Sequence, residues 1–430
     1  MGCGKEIVYL ERIFWRPSLL VFLAVYLAGL ASPGVVKTGA DVLVAKRASL
    51  VQGKKIGLVT NHSAVLRGGR HLVDALQSIP GTKIQVIFAP EHGFRGDAPD
   101  GQTVRDSLDP KSGARIISLF GDVRKPTREM LRDVDLIIFD IQDVGARFYT
   151  FTSTLFLTME AAAEFGIPYL VLDRPNPING LKVEGPVLEK SLRSFVGLSE
   201  IPVRYGMTVG ELARLVNGEG WMNKGLKADL GVIPMEGWTR DLYFDETSLP
   251  WVKPSPNIAS IETALVYPGL CFIEGTNVSE GRGTDHPFEM IGAPYIRGGE
   301  LAEKLNGGGI AGVHFEPAAF TPREMFRVTS DPKYESTPCQ GIFLRVADRQ
   351  SFEPLRTAVY ILDTLKQLYP TDFQWRSPAR SEAPYYIDLL AGTKGLRQAL
   401  DMNKKPEEII SSWIPELTKF RYVRQKYLLY

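Results

Sequence analysis

Between residues 40 and 173 the chain alternates short, unbroken apolar runs with amphipathic stretches, and few folds accept that pattern. Residues 55–60, 84–89, 115–120, 134–140 and 168–173 read as five strands. Helices are expected between them, near 72–78, at 128–132 and over 152–165, where Leu155, Met159 and Ala162 share a face. Strands whose apolar residues are continuous rather than alternating are covered on both faces, as in a parallel sheet flanked by helices. The expected class is therefore α/β, a Rossmann-like, mostly parallel sheet domain. No strand-to-helix turn carries G-x-G-x-x-G or a glycine-rich Lys-Ser/Thr loop, so no nucleotide cofactor is expected.

Downstream, the Thr208…Glu211 pair opens a helix over 208–217 with a capping box. Residues 236–257, rich in Trp, Pro and Asp, read as an ordered loop. After about residue 258 glycine-rich turns mix with a β-like run at 341–346, and helices are expected at 353–368 and 406–430. The organisation read from this is a leader at 1–31, a sheet domain at 40–257 and a smaller α+β domain at 258–430.

The leader has its own signature. Lys5, Arg12 and Arg16 precede a run of about a dozen apolar residues ending in small residues at Gly29 and Ala31. That run is short of the roughly 18–20 residues that span a bilayer, so a cleaved export signal is expected rather than a lasting anchor. Three of the 50 Lys and Arg and two of the 49 Asp and Glu lie in the first 31 residues, leaving 47 against 47. A balanced chain of this kind carries no electrostatic footprint for nucleic acid. Cys271 and Cys339 remain after the leader, able to pair or to sit buried as thiols. With no C-x-x-C and no Cys/His cluster, no metal site is expected.

Ligands of open parallel sheets bind beyond the carboxyl ends of the strands. Here those ends are polar. The first gives Asn61, and the second gives Pro90-Glu91-His92-Gly93. The fourth gives Asp140, Gln142 and Asp143, then Arg147 and Tyr149; the fifth gives Asp173, Arg174 and Asn176. Glu91, His92, Asp140 and Asp143 are the catalytic candidates, since paired carboxylates supply acid and base. The plainer reading is that several of these residues only cap helices or close turns. A second polar cluster, 272–289, offers Glu274, Asn277, Glu280, Arg282 and Glu289, with Asn257 just before it. Their hydrogen-bonding groups suit sugar hydroxyls, and Tyr205, Trp238 and Trp251 are aromatics that would stack on a sugar ring or fill the core. No G-x-S-x-G elbow exists, which counts against serine-hydrolase chemistry. Carboxylates and polar loops in an exported chain point to carbohydrate.

Six motifs then occur in order: Ala89-Pro-Glu-His-Gly-Phe-Arg-Gly96, Phe139-Asp-Ile-Gln-Asp-Val-Gly-Ala-Arg-Phe-Tyr-Thr150, Asp173-Arg-Pro-Asn-Pro177, Arg204-Tyr-Gly-Met-Thr208, Pro254-Ser-Pro-Asn257 and the set from Glu274 to Glu289. Together they resemble the NamZ-type exo-β-N-acetylmuramidases, glycoside hydrolase family 171, from about residue 40 to the C-terminus. The resemblance implies an exported enzyme that releases N-acetylmuramic acid from the non-reducing end of peptidoglycan fragments (MurNAc-GlcNAc oligosaccharides). It also implies a cleft between a Rossmann-like domain and a smaller C-terminal one, with the catalytic glutamate at Glu91. Glu91 would protonate the glycosidic oxygen, and Asp140, Asp143 or Glu280 would be the second carboxylate. The lactyl carboxylate of the sugar gives Arg147, Arg174 or Arg282 a purpose. The competing reading is a non-catalytic periplasmic protein that binds muropeptides or sugars and does not need Glu91.

Overall fold

In the computed structural model, residues 1–2, 35–95, 107–378 and 380–430 are described, so the expected leader from residue 3 onward and Gly96 lie outside them. The alternation does build a parallel sheet. After helix α1 (Gly39–Lys46) come β1 (Lys55–Thr60), α2 (Leu72–Gln77), β2 (Lys83–Ala89), β3 (Ser107–Leu108), β4 (Arg115–Ser118) and β5 (Leu136–Asp140). Helix α3 (Phe151–Phe165), β6 (Tyr169–Leu172), the hairpin β7 (Glu184–Val187) and β8 (Pro202–Arg204), α4 (Val209–Gly218) and β9 (Leu230–Ile233) complete this part. The seven-stranded order is β3-β4-β2-β1-β5-β6-β9, parallel throughout except where β3 runs against β4. β5 is buried at every position, as its unbroken apolar run requires. The expected helix at 128–132 is a series of turns, too short to hold a nucleus of its own.

The C-terminal domain follows. Helix α5 (Ile261–Leu270) leads to β10 (Met290–Ala293), α6 (Gly298–Gly307), β11 (Val313–Phe320) and β12 (Cys339–Val346), an antiparallel sheet of order β10-β12-β11. Helices α7 (Pro354–Leu368), α8 (Tyr386–Ala391), α9 (Gly395–Asp401), α10 (Pro406–Ser412) and α11 (Ile414–Arg424) close the chain. The single helix expected at 406–430 is therefore divided. Pro415 lies in the first turn of α11, where a missing N–H is tolerated, whereas within one continuous helix it would break the ladder.

One apolar core runs through both domains, joining Phe139, Phe148 and Phe151 to Phe272, Phe288 and Ile387. Arg147 reinforces the junction. Fully buried, it donates to the carbonyls of Pro186 (3.0 Å) and Ile201 (2.9 Å) on one side and of Leu390 (2.7 Å) on the other. The chain's last residue also returns to the sheet, where the Tyr430 hydroxyl donates to Asp173 at 2.8 Å. Cys271 and Cys339 are buried free thiols.

Candidate active site

β2 ends at Ala89 because Pro90 cannot donate to the ladder. The chain then turns sharply, with His92 at φ 70°, Gly93 at φ 75° and the Gly93 amide bonded to the Pro90 carbonyl at 3.0 Å. A left-handed histidine is an uncommon conformation of the kind that gathers at functional sites. The turn puts Glu91 and His92 on the wall of a cavity of about 950 Å³. Thr150, at the start of α3, donates to Glu91 Oε2 at 2.7 Å. Tyr149 lines the same wall, and its phenol stays protonated because burial, with the Asp143 and Glu91 charges adding to it, disfavours the phenolate.

The C-terminal domain provides the facing wall. Arg282 binds two carboxylates there, Glu274 at 2.9 Å and Glu280 at 3.2 Å. Glu280 is further neutralised by Lys333 at 2.9 Å, which also donates to the Ile273 and Val278 carbonyls. Glu274 has weaker company, the Tyr386 hydroxyl at 3.4 Å and the Cys271 thiol at 3.6 Å. Burial, with the Glu280 carboxylate beside it, pushes Glu274 up to about 7. The Arg282 guanidinium feels the Glu91 charge, so the two walls share one electrostatic field. The arrangement thus holds a carboxyl that titrates near neutrality across from a second one, around a fixed cation.

Of the residues singled out in the sequence, Glu91, His92, Tyr149, Asn257, Glu274, Asn277, Glu280 and Arg282 line this cavity. Asn257 donates to the Val328 carbonyl at 3.2 Å, and Asn277 binds Asp372 and Gln374 backbone, so both also fix their own loops. The other strand ends do not reach it. Asp140, a catalytic candidate, is fully buried in a two-point ion pair with Arg174 (2.5 and 2.9 Å), which removes both from the cleft. Asp143, the other, does not line the cavity; its Oδ2 accepts from the Tyr205 hydroxyl and the Gly145 amide, and burial lifts it to about 6. Asp173 holds the start of α4 and the C-terminal tyrosine through Thr208, the Gly210 amide and Tyr430. Asn61 accepts from Ser63, and Asn176 donates to the Met207 carbonyl. Gln142 donates to the carbonyls of Asp143 and Pro175. With Arg174 it borders a separate crevice of about 10 Å³, room for about one water. Arg147 is committed to carbonyls, and Glu289 accepts from Thr263 at 2.5 Å. For these residues the plainer reading of caps and turns is the one the geometry favours.

Tyr205 and Trp238 are buried and Trp251 packs edge-on against Phe244, so none of the three faces the cavity. Besides Tyr149, its aromatic surface includes Phe120, Phe195, Trp375 and Tyr386. With Thr150, Arg124, Lys333 and Arg376 these were missed in the sequence. Trp375-Arg376, an aromatic next to a cation in a loop, was one signal available, and Thr150 closes the second of the six motifs.

The comparisons with known proteins cover almost the whole chain. The family model described as exo-beta-N-acetylmuramidase NamZ, N-terminal, matches residues 56–262, and its C-terminal counterpart matches 265–430. The peptidoglycan beta-N-acetylmuramidase NamZ of Bacillus subtilis (strain 168) is 45% identical over 395 residues, 92% of this chain and 91% of its own. A DUF1343 family protein of Bacteroides fragilis superposes with a TM-score of 0.83 at 34% identity, covering 92% of this chain and 99% of that one. A second from the same organism gives 0.73 at 32% identity, with the same coverage.

Proposed function

Because the chain belongs to the NamZ family of exo-β-N-acetylmuramidases, and is a glycoside hydrolase, we propose that it is exported and cleaves terminal N-acetylmuramic acid from peptidoglycan fragments. The observation that carries the reading is the cleft itself, with Glu91 on one wall and Glu274 beside Arg282 on the other. Glycoside hydrolysis needs one carboxyl to protonate the departing oxygen and another to take the water proton or to attack C1. Glu91, oriented by Thr150, is the acid. Its proton passes to the glycosidic oxygen as the C1–O bond breaks, and water supplies the hydroxyl that ends on C1. Of the three partners named from the sequence, Asp140 and Asp143 are committed to structural bonds and Glu280 is held between two cations. Glu274 takes the role instead. A base that titrates near the working pH combines availability with proton affinity.

The leader supports export to the periplasm or the outside of the cell, with no lasting membrane anchor once it is cleaved. The test of function is incubation of the mature protein with a MurNAc-GlcNAc disaccharide. Free N-acetylmuramic acid should accumulate. Binding of the disaccharide with no products after many hours would establish the non-catalytic binding protein in its place.

A further inference from the structure

N-acetylmuramic acid differs from N-acetylglucosamine by a lactyl ether on O3, whose carboxylate is the only charge on the sugar. An enzyme that selects the first sugar needs a cation not already neutralised by the protein. The three arginines considered in the sequence are all spent: Arg147 on carbonyls, Arg174 on Asp140, and Arg282 on Glu274 and Glu280. Lys333 is spent on Glu280. Among the described residues, Arg124 and Arg376 are the cavity-lining arginines that form no ion pair.

Arg376 is the better placed. Its segment is zipped to the loop that carries the acidic cluster: the Asn277 amide donates to the Gln374 carbonyl (2.9 Å), Thr276 bridges to Trp375, and the Arg376 amide donates to the Gly275 carbonyl (2.8 Å). Its guanidinium lies over the Tyr386 ring, 4.8 Å from the centroid, and the hydroxyl of that ring touches Glu274. A stacked guanidinium is held in plane while its N–H edge stays open, a geometry matched to a carboxylate. Arg124 stacks on Phe195, 4.5 Å from the centroid, and both belong to the sheet domain.

We propose that Arg376 receives the lactyl carboxylate of the terminal sugar and so makes the enzyme specific for N-acetylmuramic acid over N-acetylglucosamine. This rests on the muramidase reading above, and the test separates the two. The kcat and KM of wild type, Arg376→Met and Arg124→Met are measured on an aryl β-N-acetylmuraminide with its lactyl group as free acid or as methyl ester. Binding of free N-acetylmuramic acid and its methyl ester is followed by calorimetry. Wild type should prefer the acid by about 10- to 100-fold in kcat/KM, through KM, since a charge-assisted bidentate contact is lost in the ester. Arg376→Met should bring the acid-to-ester ratio of kcat/KM to about one, the effect of the lost charge on Glu274 falling on both substrates alike, and Arg124→Met should keep the wild-type ratio. An Arg376→Met protein that still prefers the acid, or an Arg124→Met protein that loses the preference, overturns the proposal. If wild type hydrolyses neither substrate, the hydrolase reading fails alone when binding still favours the acid through Arg376. Both fail when it does not.

Discussion

Glu274 shows how burial tunes a side chain for chemistry. Its carboxyl is pushed up to about 7 by desolvation and by Glu280, in spite of the Arg282 contact. An acid with a raised pKa is neutral below that value and ionises as pH rises through it. If Glu274 must be ionised to act, kcat/KM rises about tenfold per pH unit as pH approaches 7, and the proton that Glu91 must keep bounds the profile on the alkaline side, giving a bell. A pH–rate profile from 5 to 9 should show the rising limb in wild type. In Glu274→Gln the limb should be absent and kcat lower by about 10²–10⁴-fold. A limb that survives the substitution belongs to another group. The anomer released first reports the chemistry: the α form if Glu274 is the base, the β form if it attacks C1. Little of this was legible in the sequence, where Glu274 was one polar residue among many in a glycine-rich loop. Besides burial and Glu280, the charges that act on it, those of Lys333 and Arg376, lie about 60 and 100 residues away in the chain.

Strands and their exits were far more legible. A buried parallel strand has to be apolar along its length, so β1, β2, β4, β5 and β6 could be read as runs. Pro90 with Gly93 marked the exit that turns Glu91 toward the cleft. Which polar strand ends face ligand and which face the protein could not be read, because Asp, Asn and Arg serve both purposes. β9 was missed because Leu-Gly-Val-Ile is short and contains a glycine, and only its pairing with β6 makes it a strand. The exits of β5 and β6 are joined by Asp140 and Arg174, 0% and 5% exposed. Removing one partner leaves the other charge buried and unpaired. Asp140→Asn should therefore cost about 3–5 kcal/mol in urea unfolding. The KM of the folded fraction should be unchanged, since neither residue lines the cavity. A loss below about 1 kcal/mol would mean that water reaches Arg174.

Taken whole, the molecule carries buried acids whose ionisation opposes the fold. Burial lifts Asp143 to about 6, and lifts Asp173 and Glu274 to about 7. Acids with raised folded-state pKa values stabilise most below their unfolded values near 4, and that contribution is lost as pH climbs through 6 and 7. His71 works in the opposite sense. Burial lowers it, so its contribution is present above about 6.5 and lost as pH falls through its folded-state value. Three carboxyls outweigh one imidazole. The urea midpoint should therefore fall between pH 5 and pH 8, as one transition, because a single core joins both domains. A midpoint that rises over that range would mean these acids are hydrated in the native state. The same shared core fixes the two walls of the cleft against each other and brings Glu91 and Glu274 to one substrate. The deciding measurement is turnover of a MurNAc-GlcNAc disaccharide, whose alcohol leaving group needs the acid proton, by wild type and by Glu91→Gln, which keeps the shape and the Thr150 contact but cannot donate an acid proton. Wild type should turn over, and Glu91→Gln should lose at least about 10²-fold in kcat with its fold and unfolding midpoint intact. A Glu91→Gln enzyme working at the wild-type rate would contradict the mechanism.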